Sequence, residues 1–336
     1  MVSESRLYPY RWVVLFAYMI VAAISQLLWL NFATITTPIM TSIFRITESD
    51  VGLLSMVWPL LFIPLSIPTG ILVDKKGFKL TVTIGALIIA VFAVLRIFSG
   101  EDFTLLLLFQ SGAALGQPFI FNSISKLATL WFPLKERALA TGLGTIGLFL
   151  GMIMALTLTP FLVPTADSQL LTMMLIIYAV ISIVGVSLFI ILAREKPKTP
   201  PEISKEEATT TFSMKGMGKI SKSKDFVILE ILFFIGVGLF TGLATWLESI
   251  LAPRGISITD AGIIAGLIII GGIIGSIVIP GISDKTMRRK PFVIIDLAVA
   301  AIMLFLLAVV TDFMFLAVAG FALGIFLMSA LPIGLE

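Results

Sequence analysis

The sequence predicts an all-α membrane protein whose helices form two pseudo-symmetric bundles. Apolar residues make up 58% of the 336 residues and charged residues only 13%, whereas soluble domains average about 45–50% apolar and about 25% charged residues. Ten segments are long and apolar enough for the roughly 20 residues that a spanning helix needs. Basic residues also alternate in number between successive loops, as in a chain that crosses a bilayer repeatedly. Lipid is therefore the expected solvent for most of this apolar surface.

Six of the predicted spans precede a long polar stretch. They are placed at 11–43, 51–73, 79–98, 103–130, 138–162 and 169–193. We expect residues 1–193 to form an N-terminal six-helix bundle. The polar stretch 194–225, rich in Lys, Glu, Thr, Ser and Pro, is predicted to be a cytoplasmic linker. It is either solvated throughout or lies partly on the membrane surface, at 212–220, as a basic amphipathic segment.

Four further spans follow this linker. They are placed at 226–252, 260–280, 291–310 and 313–336, so residues 226–336 are predicted to form a C-terminal bundle of four helices. The ends of the second and eighth spans carry the same pattern. The shared residues are Gly70, Asp74 and Lys75 in the first copy and Gly281, Asp284 and Lys285 in the second.

This repetition resembles the major facilitator fold, in which two six-helix halves repeat in parallel. Ten of the expected twelve transmembrane helices are then present. We expect the chain to be truncated before helices 11 and 12; the alternative is a protein with ten helices.

The basic residues predict the orientation of the chain. The N-terminus and the loops after the even-numbered spans hold 19 of the 23 Lys and Arg residues, whereas the loops after the odd-numbered spans hold only Arg45 and Arg254. Short loops rich in Lys and Arg remain in the cytoplasm. The sequence therefore predicts a cytoplasmic N-terminus and a multi-pass protein of the cell membrane.

The segment 70–79 is predicted to be a gating turn. Asp74 stands beside several lysines, and Gly77 permits a tight backbone turn. In the major facilitators that this segment resembles, the aspartate braces the two bundles in the outward-facing state; the alternative is a plain cytoplasmic turn. The predicted gating residues are Gly70, Asp74, Lys75, Gly77, Lys79, Asp284 and Lys285.

Polar and aromatic residues deep in the first, fourth and seventh spans are the candidate substrate contacts. Buried amides need hydrogen-bond partners, which a solvated cavity supplies, and indole rings attract organic cations. Trp29 lies too deep in its span for an interfacial position, although it could also be a packing or lipid-facing residue. The predicted substrate-binding residues are Trp29, Asn31, Gln117, Asn122, Phe240, Thr241 and Trp246.

Charged residues inside the spans are few. Arg96 and Lys126 stand near span ends, where snorkelling towards water would explain them. Glu230 and Asp296 fall one or two turns from the cytoplasmic ends and are either anchoring charges or coupling groups. Since the first six spans have no carboxylate near their centre, facilitated diffusion is favoured over proton coupling. His and Cys are absent from the sequence, so no enzyme activity, metal or cofactor is predicted.

Glycines recur at spacings of three and four in the fifth and eighth spans. Such spacing lets helices approach closely in lipid. Either these two spans contact each other between the bundles, as rocking-type transport requires, or the glycines serve ordinary helix packing.

Several stretches resemble the feline leukaemia virus subgroup C receptor-related transporters, a major facilitator branch linked to choline, ethanolamine and haem. The most specific are 8–15, 131–137 and 331–336. The resemblance implies that Trp29 faces a quaternary ammonium group and that Gln117 meets the hydroxyl end of the substrate.

The chain also departs from that branch. Phe240-Thr241 replaces a Phe-Tyr pair, and Leu148-Phe149 replaces an Asn-Gln pair. One aromatic wall and one amide are therefore missing from the expected cage, which leaves choline, another small amine or another organic solute as the substrate.

The functional prediction is a secondary transporter or facilitator that moves a small organic solute by alternating access. The alternatives are a proton-coupled transporter of organic anions or metabolites, and a non-transporting receptor with a transporter fold. The expected partners are the small-molecule substrate and the lipid bilayer, with no nucleic acid, and the chain is expected to be a monomer. Its Lys- and Ile-rich composition further predicts a prokaryotic source.

Overall fold

The computed structural model describes residues 8–36, 41–197, 224–286 and 289–335. Every regular element within these residues is a helix. The chain divides into two compact units, Met1–Ser204 and Lys205–Glu336. Most of the predicted linker, including its amphipathic segment at 212–220, lies outside the described residues.

The N-terminal unit contains nine α-helices in its described part. They are α1 (Arg11–Leu30), α2 (Thr41–Phe44), α3 (Glu48–Lys76), α4 (Phe78–Leu95), α5 (Phe103–Ala114), α6 (Gln117–Phe121), α7 (Ile124–Trp131), α8 (Leu134–Leu162) and α9 (Ser168–Leu192).

Two predicted spans are shorter or less regular than expected. The first was predicted to continue to residue 43, but α1 ends at Leu30 and is followed by turns. The fourth was predicted as one helix and is instead divided into α5, α6 and α7. Pro118 explains the first break, because it has no N–H to donate to the carbonyl of Ala114 and its ring disfavours a continuous helix there.

Side-chain caps fix where several helices begin. Thr47 and Asp50 form a capping box at the start of α3, in which the Asp50 N–H donates to Thr47 Oγ1 (3.3 Å) and the Thr47 N–H donates to Asp50 Oδ2 (2.9 Å). Asp102 accepts a hydrogen bond from the Leu105 N–H at the start of α5 (3.0 Å). Each cap satisfies a backbone donor that has no partner within its helix.

Glycines bring α1 and α8 together in the N-terminal unit. A Cβ on Gly147 would lie 2.9 Å from Met19 Cα, and one on Gly151 would collide with the backbone of Ala23. Hydrogen in place of a side chain lets these helices approach closely, which stabilises helix pairs in lipid. The fifth-span glycines therefore pack within their own unit.

The described C-terminal unit contains α10 (Lys224–Leu251), α11 (Ile258–Thr286), α12 (Arg289–Val309) and α13 (Phe313–Leu335). Glycines form the seam between α11 and α13. A Cβ on Gly271 would collide with Phe321 O, and one on Gly275 with Ile325 O. These glycines of the eighth span thus pack within their own unit.

Nine helical segments of the described chain are long and apolar enough to cross a membrane. The predicted tenth span corresponds to α13, which is helical over 23 residues and apolar over Phe313–Ser329. Several helices run past the predicted span ends into polar residues: α3 to Lys76, α8 from Leu134 and α11 to Thr286. Such lengths suit tilted helices that protrude beyond the hydrocarbon.

Candidate functional site

The Trp29 ring is anchored to the neighbouring helix α3. Its Nε1–H donates a hydrogen bond of 2.9 Å to Ser55 O. The residue lies one position before the end of α1 and is partly exposed, whereas Leu28 and Leu30 beside it are buried. The hydrogen bond satisfies the polar edge of the indole, so the apolar faces of the ring remain for contacts.

A buried arginine and glutamine pair lies next to this anchor. Arg96 Nη1 donates to Gln110 Oε1 at 2.8 Å, and both residues are fully buried. Gln110 Nε2 in turn donates to Leu28 O (3.0 Å) and Leu54 O (3.3 Å), the carbonyls immediately before Trp29 and Ser55. The pair therefore ties α5 and the turn that directly follows α4 to the stretch of α1 and α3 that holds Trp29.

Arg96 corrects the expectation of snorkelling. Its side chain is 0% exposed, and its Cζ lies 5.8 Å from the centre of the Phe32 ring. Nε and Nη2 have no hydrogen-bond partner in the described part of the chain. A charged group buried in this way is costly, which marks it as a residue with a specific role.

The predicted substrate residues of the first and fourth spans differ in exposure. Asn31 is 0% exposed, and neither its Oδ1 nor its Nδ2 has a hydrogen-bond partner among the described residues. Gln117 is 6% exposed at the start of α6. Asn122 is partly exposed, and its Nδ2 donates to Ser66 O and to Thr69 Oγ1, each at 2.8 Å. Asn122 thus joins the end of α6 to α3.

The remaining predicted substrate residues lie on α10 in the C-terminal unit. Phe240 is 6% exposed, while Thr241 and Trp246 are partly exposed. Within the N-terminal unit, Trp29 and Asn122 are both held by α3. These seven residues remain predicted contacts.

The predicted gating turn is almost entirely helical. α3 continues through Lys76 and α4 begins at Phe78, so Gly77 is the single residue between them. Gly77 has φ +88° and ψ 168°, a combination that is essentially restricted to glycine. Gly70, Asp74 and Lys75 therefore lie on the last turns of α3, where the sequence had suggested a turn.

The Glu195 side chain caps the N-terminus of α4. Its Oε1 accepts from the Phe78 N–H at 3.1 Å and its Oε2 from the Lys79 N–H at 2.8 Å. A carboxylate at this position also interacts favourably with the positive end of the helix dipole. A Cβ on Gly77 would collide with the same carboxylate, so glycine is required both by its backbone conformation and by this contact.

Fewer contacts are described for the other gating candidates. Asp74 Oδ1 lies 3.6 Å from Lys126 Nζ on α7, and more than half of the Asp74 side chain is exposed. Exposed pairs of this kind contribute little to stability. Asp284 and Lys285 lie on the last turns of α11, and their side chains are outside the described set.

Two of the stretches that carried the family resemblance pack against each other. Arg11 Nη2 lies 3.0 Å from Glu136 Oε2, and the Tyr10 and Trp131 rings are 6.3 Å apart. The Tyr10 hydroxyl also donates to Leu192 O at 2.9 Å. The start of α1, the α7–α8 connection and the end of α9 therefore form one cluster.

Sequence reasoning missed Gln110 and Glu195, and it did not predict that Arg96 is buried. Gln110 stood in an apolar span, and the two partners of the pair are 14 residues apart on different helices. Glu195 belonged to a polar stretch that predicted a linker. In the described chain, no group of three or more His, Cys, Asp or Glu residues could hold a metal ion.

Residues 14–335 match the family profile described as Major Facilitator Superfamily. The chain belongs to this superfamily. An uncharacterized protein of Archaeoglobus fulgidus is 34% identical over 48% of this chain and 71% of its own length. The choline/ethanolamine transporter flvcr2b of Danio rerio is 26% identical over 99% of this chain and 72% of its own length.

A solved structure of the superfamily has the same fold. It is the inward-facing, unoccupied crystal structure of a bacterial homologue of the human lysosomal transporter Spinster, with a TM-score of 0.75, 18% identity and coverage of 97% of this chain and 75% of that one. The predicted major facilitator fold, the resemblance to the choline transporter branch and the transporter function are thereby confirmed. Members of this superfamily are in general transporters rather than enzymes.

Proposed function

We propose that this major facilitator carries a small organic amine of the choline or ethanolamine type across the cell membrane by alternating access. The observation that carries the proposal is the Trp29 indole, which is held by its N–H to Ser55 O and remains partly exposed. The relative from Danio rerio, a choline/ethanolamine transporter by name, supports the same class of substrate.

The chemistry of the candidate residues fits an amine with a hydroxyl group. The face of an indole attracts a quaternary or primary ammonium ion through the ring quadrupole. Gln117 and Asn122 offer amide groups to a hydroxyl, and Thr241 and Trp246 offer a hydroxyl and a second indole. An Asn122 carboxamide that already donates to α3 keeps its oxygen as an acceptor.

The gating residues would control access to the substrate. In this proposal residues 1–193 and 226–336 are the two moving bundles and 194–225 is their linker. Asp74, Lys75 and Lys79, with Asp284 and Lys285 in the second copy, would form contacts that break and re-form during transport. Gly70 would lie on the same helix end, and Gly77 would keep the α3–α4 connection short.

The location and assembly state follow from the same proposal. The protein would be a monomeric, multi-pass protein of the plasma membrane with a cytoplasmic N-terminus, and it would bind no nucleic acid. The distribution of Lys and Arg supports the orientation. A prokaryotic source is proposed from composition alone, since the relative that covers 99% of this chain comes from a fish.

A proton-coupled carrier of organic anions is the second candidate. The observation that favours it is Arg96, the charged residue buried in the described part of the N-terminal unit. A buried positive charge opposes a cationic solute and favours an anionic one. A receptor that binds a solute without moving it is the third candidate.

Uptake into vesicles distinguishes these candidates. Purified protein is reconstituted into liposomes and offered labelled choline, ethanolamine and a small carboxylate in parallel. We expect uptake of the amines and competition by excess unlabelled choline. The uncharged isostere of choline, in which carbon replaces the nitrogen, should compete poorly. Uptake of the carboxylate alone would reject the amine proposal in favour of the anion carrier, and binding without uptake would favour the receptor.

A further inference from the structure

Asp296 is a buried carboxyl group that the proposed transport site does not use. It lies on α12 and is 1% exposed. Its hydrogen-bond partner is the Ser329 hydroxyl on α13, with 2.7 Å between Ser329 Oγ and Asp296 Oδ2. No basic side chain pairs with Asp296 in the described part of the chain. An ionisable side chain inside a membrane protein normally has a function, since its burial is costly.

Ser329 lies between two acceptors. Its Oγ is also 3.0 Å from Phe326 O in the preceding turn of α13. A hydroxyl has one proton to donate but can also accept. If Asp296 is ionised, the Ser329 hydroxyl donates to the carboxylate and leaves Phe326 O. If Asp296 carries a proton, its O–H donates to Ser329 Oγ and the hydroxyl donates to Phe326 O, so both observed contacts are hydrogen bonds.

Among the described side chains of this unit, few others near Asp296 are charged. On α11, Asp260 lies in the first turn, where it is bonded to Ser257. The charged side chains of Asp284 and Lys285 on α11, and of Arg289 and Lys290 on α12, are outside the described set. The close glycine contacts of α11 with α13 at Gly275 and Ile325 lie one turn before Ser329.

A second buried hydroxyl lies farther along the same seam. Ser283 on α11 is 1% exposed, and its Oγ has no hydrogen-bond partner among the described residues. Because Gly275 faces Ile325, Ser283 stands about one helical turn beyond Ser329 towards the Thr286 end of α11. Ser283 thus lies between the level of Ser329 and that end of α11.

We propose that Asp296 and Ser329 form a reversible proton-binding site that couples proton movement to transport. Protonation takes a proton from water and forms the Asp296 O–H bond; release returns the proton to water. The hydrogen bond between α12 and α13 reverses its direction at each step, and the Ser329 bond to Phe326 O forms or is lost. The site thereby changes how α12 is held to α13, the helix that α11 packs against most closely.

The coupling part of this inference rests on the proposed transport function, whereas proton binding by Asp296 does not. Infrared difference spectroscopy of the full chain tests this proton binding. The protein is titrated in a maltoside detergent, which has no carbonyl group. Among the carboxylic-acid C=O bands that are lost as the pH rises, we expect one that is absent from Asp296→Asn. Ser329→Ala should shift the frequency of this band, because the acid loses its hydrogen-bond partner.

Asp312→Asn is the matched control. Asp312 is an exposed carboxylate in the same unit that caps α13 through the Phe315 N–H, and asparagine caps equally well. Its spectrum should keep the band. If the band is unchanged in Asp296→Asn, Asp296 does not bind the proton and the proposal is overturned. If its frequency is unchanged in Ser329→Ala, Ser329 is not the hydrogen-bond partner of the acid and the proposed two-residue site is also overturned.

Proton coupling is then measured in liposomes that contain a pH-sensitive dye, with choline as the probe. We expect choline uptake by the natural sequence to change the internal pH, and uptake by Asp296→Asn to leave it constant. Uptake by the natural sequence without any pH change would overturn the coupling. If the natural sequence takes up no choline, the amine proposal fails, while the infrared titration still decides whether Asp296 binds a proton.

Discussion

At the level of single residues, the hydrogen bond of the Trp29 indole N–H fixes the ring and leaves its faces for substrate contacts in the proposed site. Trp29→Ala removes both the ring and the hydrogen bond to Ser55 O. We expect choline to bind more weakly by about 0.5–2 kcal/mol, or roughly 2- to 30-fold in Kd. Trp29→Phe keeps a smaller ring and should lose less. Isothermal calorimetry with purified protein measures both.

Trp12 provides the control for this substitution. It lies on the same helix, is 39% exposed and has its ring 5.1 Å from that of Phe132. Trp12→Ala should leave the Kd for choline unchanged. Equal affinities in the natural protein and Trp29→Ala would contradict the cation–π contact.

Gly77 is the residue whose backbone most clearly requires glycine. Its φ of +88° with extended ψ costs other residues about 1–3 kcal/mol. A Cβ would also displace the Glu195 carboxylate, and loss of such a cap costs about 1 kcal/mol. We expect Gly77→Ala to lower the Tm and to slow transport.

Gly70→Ala is the matched control within the same segment. Gly70 is inside α3, and a Cβ there would meet nothing within 4 Å. Alanine is about 1 kcal/mol better than glycine in a helix interior, so the Tm should stay constant or rise. A lower Tm for Gly70→Ala than for Gly77→Ala would contradict this account of the two glycines.

The sequence predicted that Gly77 permits a tight backbone turn, but not its contact with Glu195. Glycine next to charged residues predicted a tight turn, whereas the Glu195 contact joins residues more than 110 positions apart. The same holds for Arg96, since a position near the end of a span predicts snorkelling unless a buried partner is known. Long-range partners of this kind depend on packing, which a local pattern does not contain.

At the level of helices, the Arg96 and Gln110 pair joins four elements of the N-terminal unit. Gln110→Leu would leave a buried guanidinium without this hydrogen-bond partner and would remove the hydrogen bonds from Nε2 to Leu28 O and Leu54 O. We expect this variant to lose about 1–3 kcal/mol of stability or more. The double variant Arg96→Met/Gln110→Leu should recover part of that loss, because an apolar pair can replace a buried polar one.

Thermal unfolding of the four proteins in this cycle gives the coupling between the two residues. We expect a coupling of about 0.5–3 kcal/mol. Gln169→Ala is the control, since Gln169 is exposed in the first turn of α9 and should change stability by less than about 0.5 kcal/mol. Additive losses in the double variant would show that the two side chains act independently.

The helices themselves were largely predictable, and their irregularities were less so. Long apolar segments predicted the order of the spans, because length and hydrophobicity are what a bilayer selects. Nine of the ten predicted spans are long and apolar enough in the described residues, and the tenth is the shorter apolar stretch Phe313–Ser329 of α13. Pro118 signals the break between α5 and α6, yet the apolar pattern runs through it and predicted one helix. The glycines of α8 and α11 were recognised as packing residues, but their partners, α1 and α13, depend on the tertiary fold.

For the whole molecule, the distribution of Lys and Arg predicts the orientation of the chain in the membrane. The accessibility of single residues to a labelling reagent can test it. Lys135 is in the first turn of α8, and Ala166 lies shortly after the last residue of this helix, Leu162. Both residues are exposed. A helix of 29 residues is about 43 Å long, which exceeds the thickness of the hydrocarbon core. The two positions therefore belong to opposite compartments if α8 spans the membrane.

The natural chain contains no cysteine, so single cysteines report their positions without a background. In intact cells, a membrane-impermeant maleimide should label Ala166→Cys and spare Lys135→Cys, which should react only after the cells are permeabilised. The reason is that the basic loop containing Lys135 is expected to stay in the cytoplasm. The reverse pattern would place the N-terminus outside, and labelling of both variants in intact cells would show that α8 does not separate two compartments.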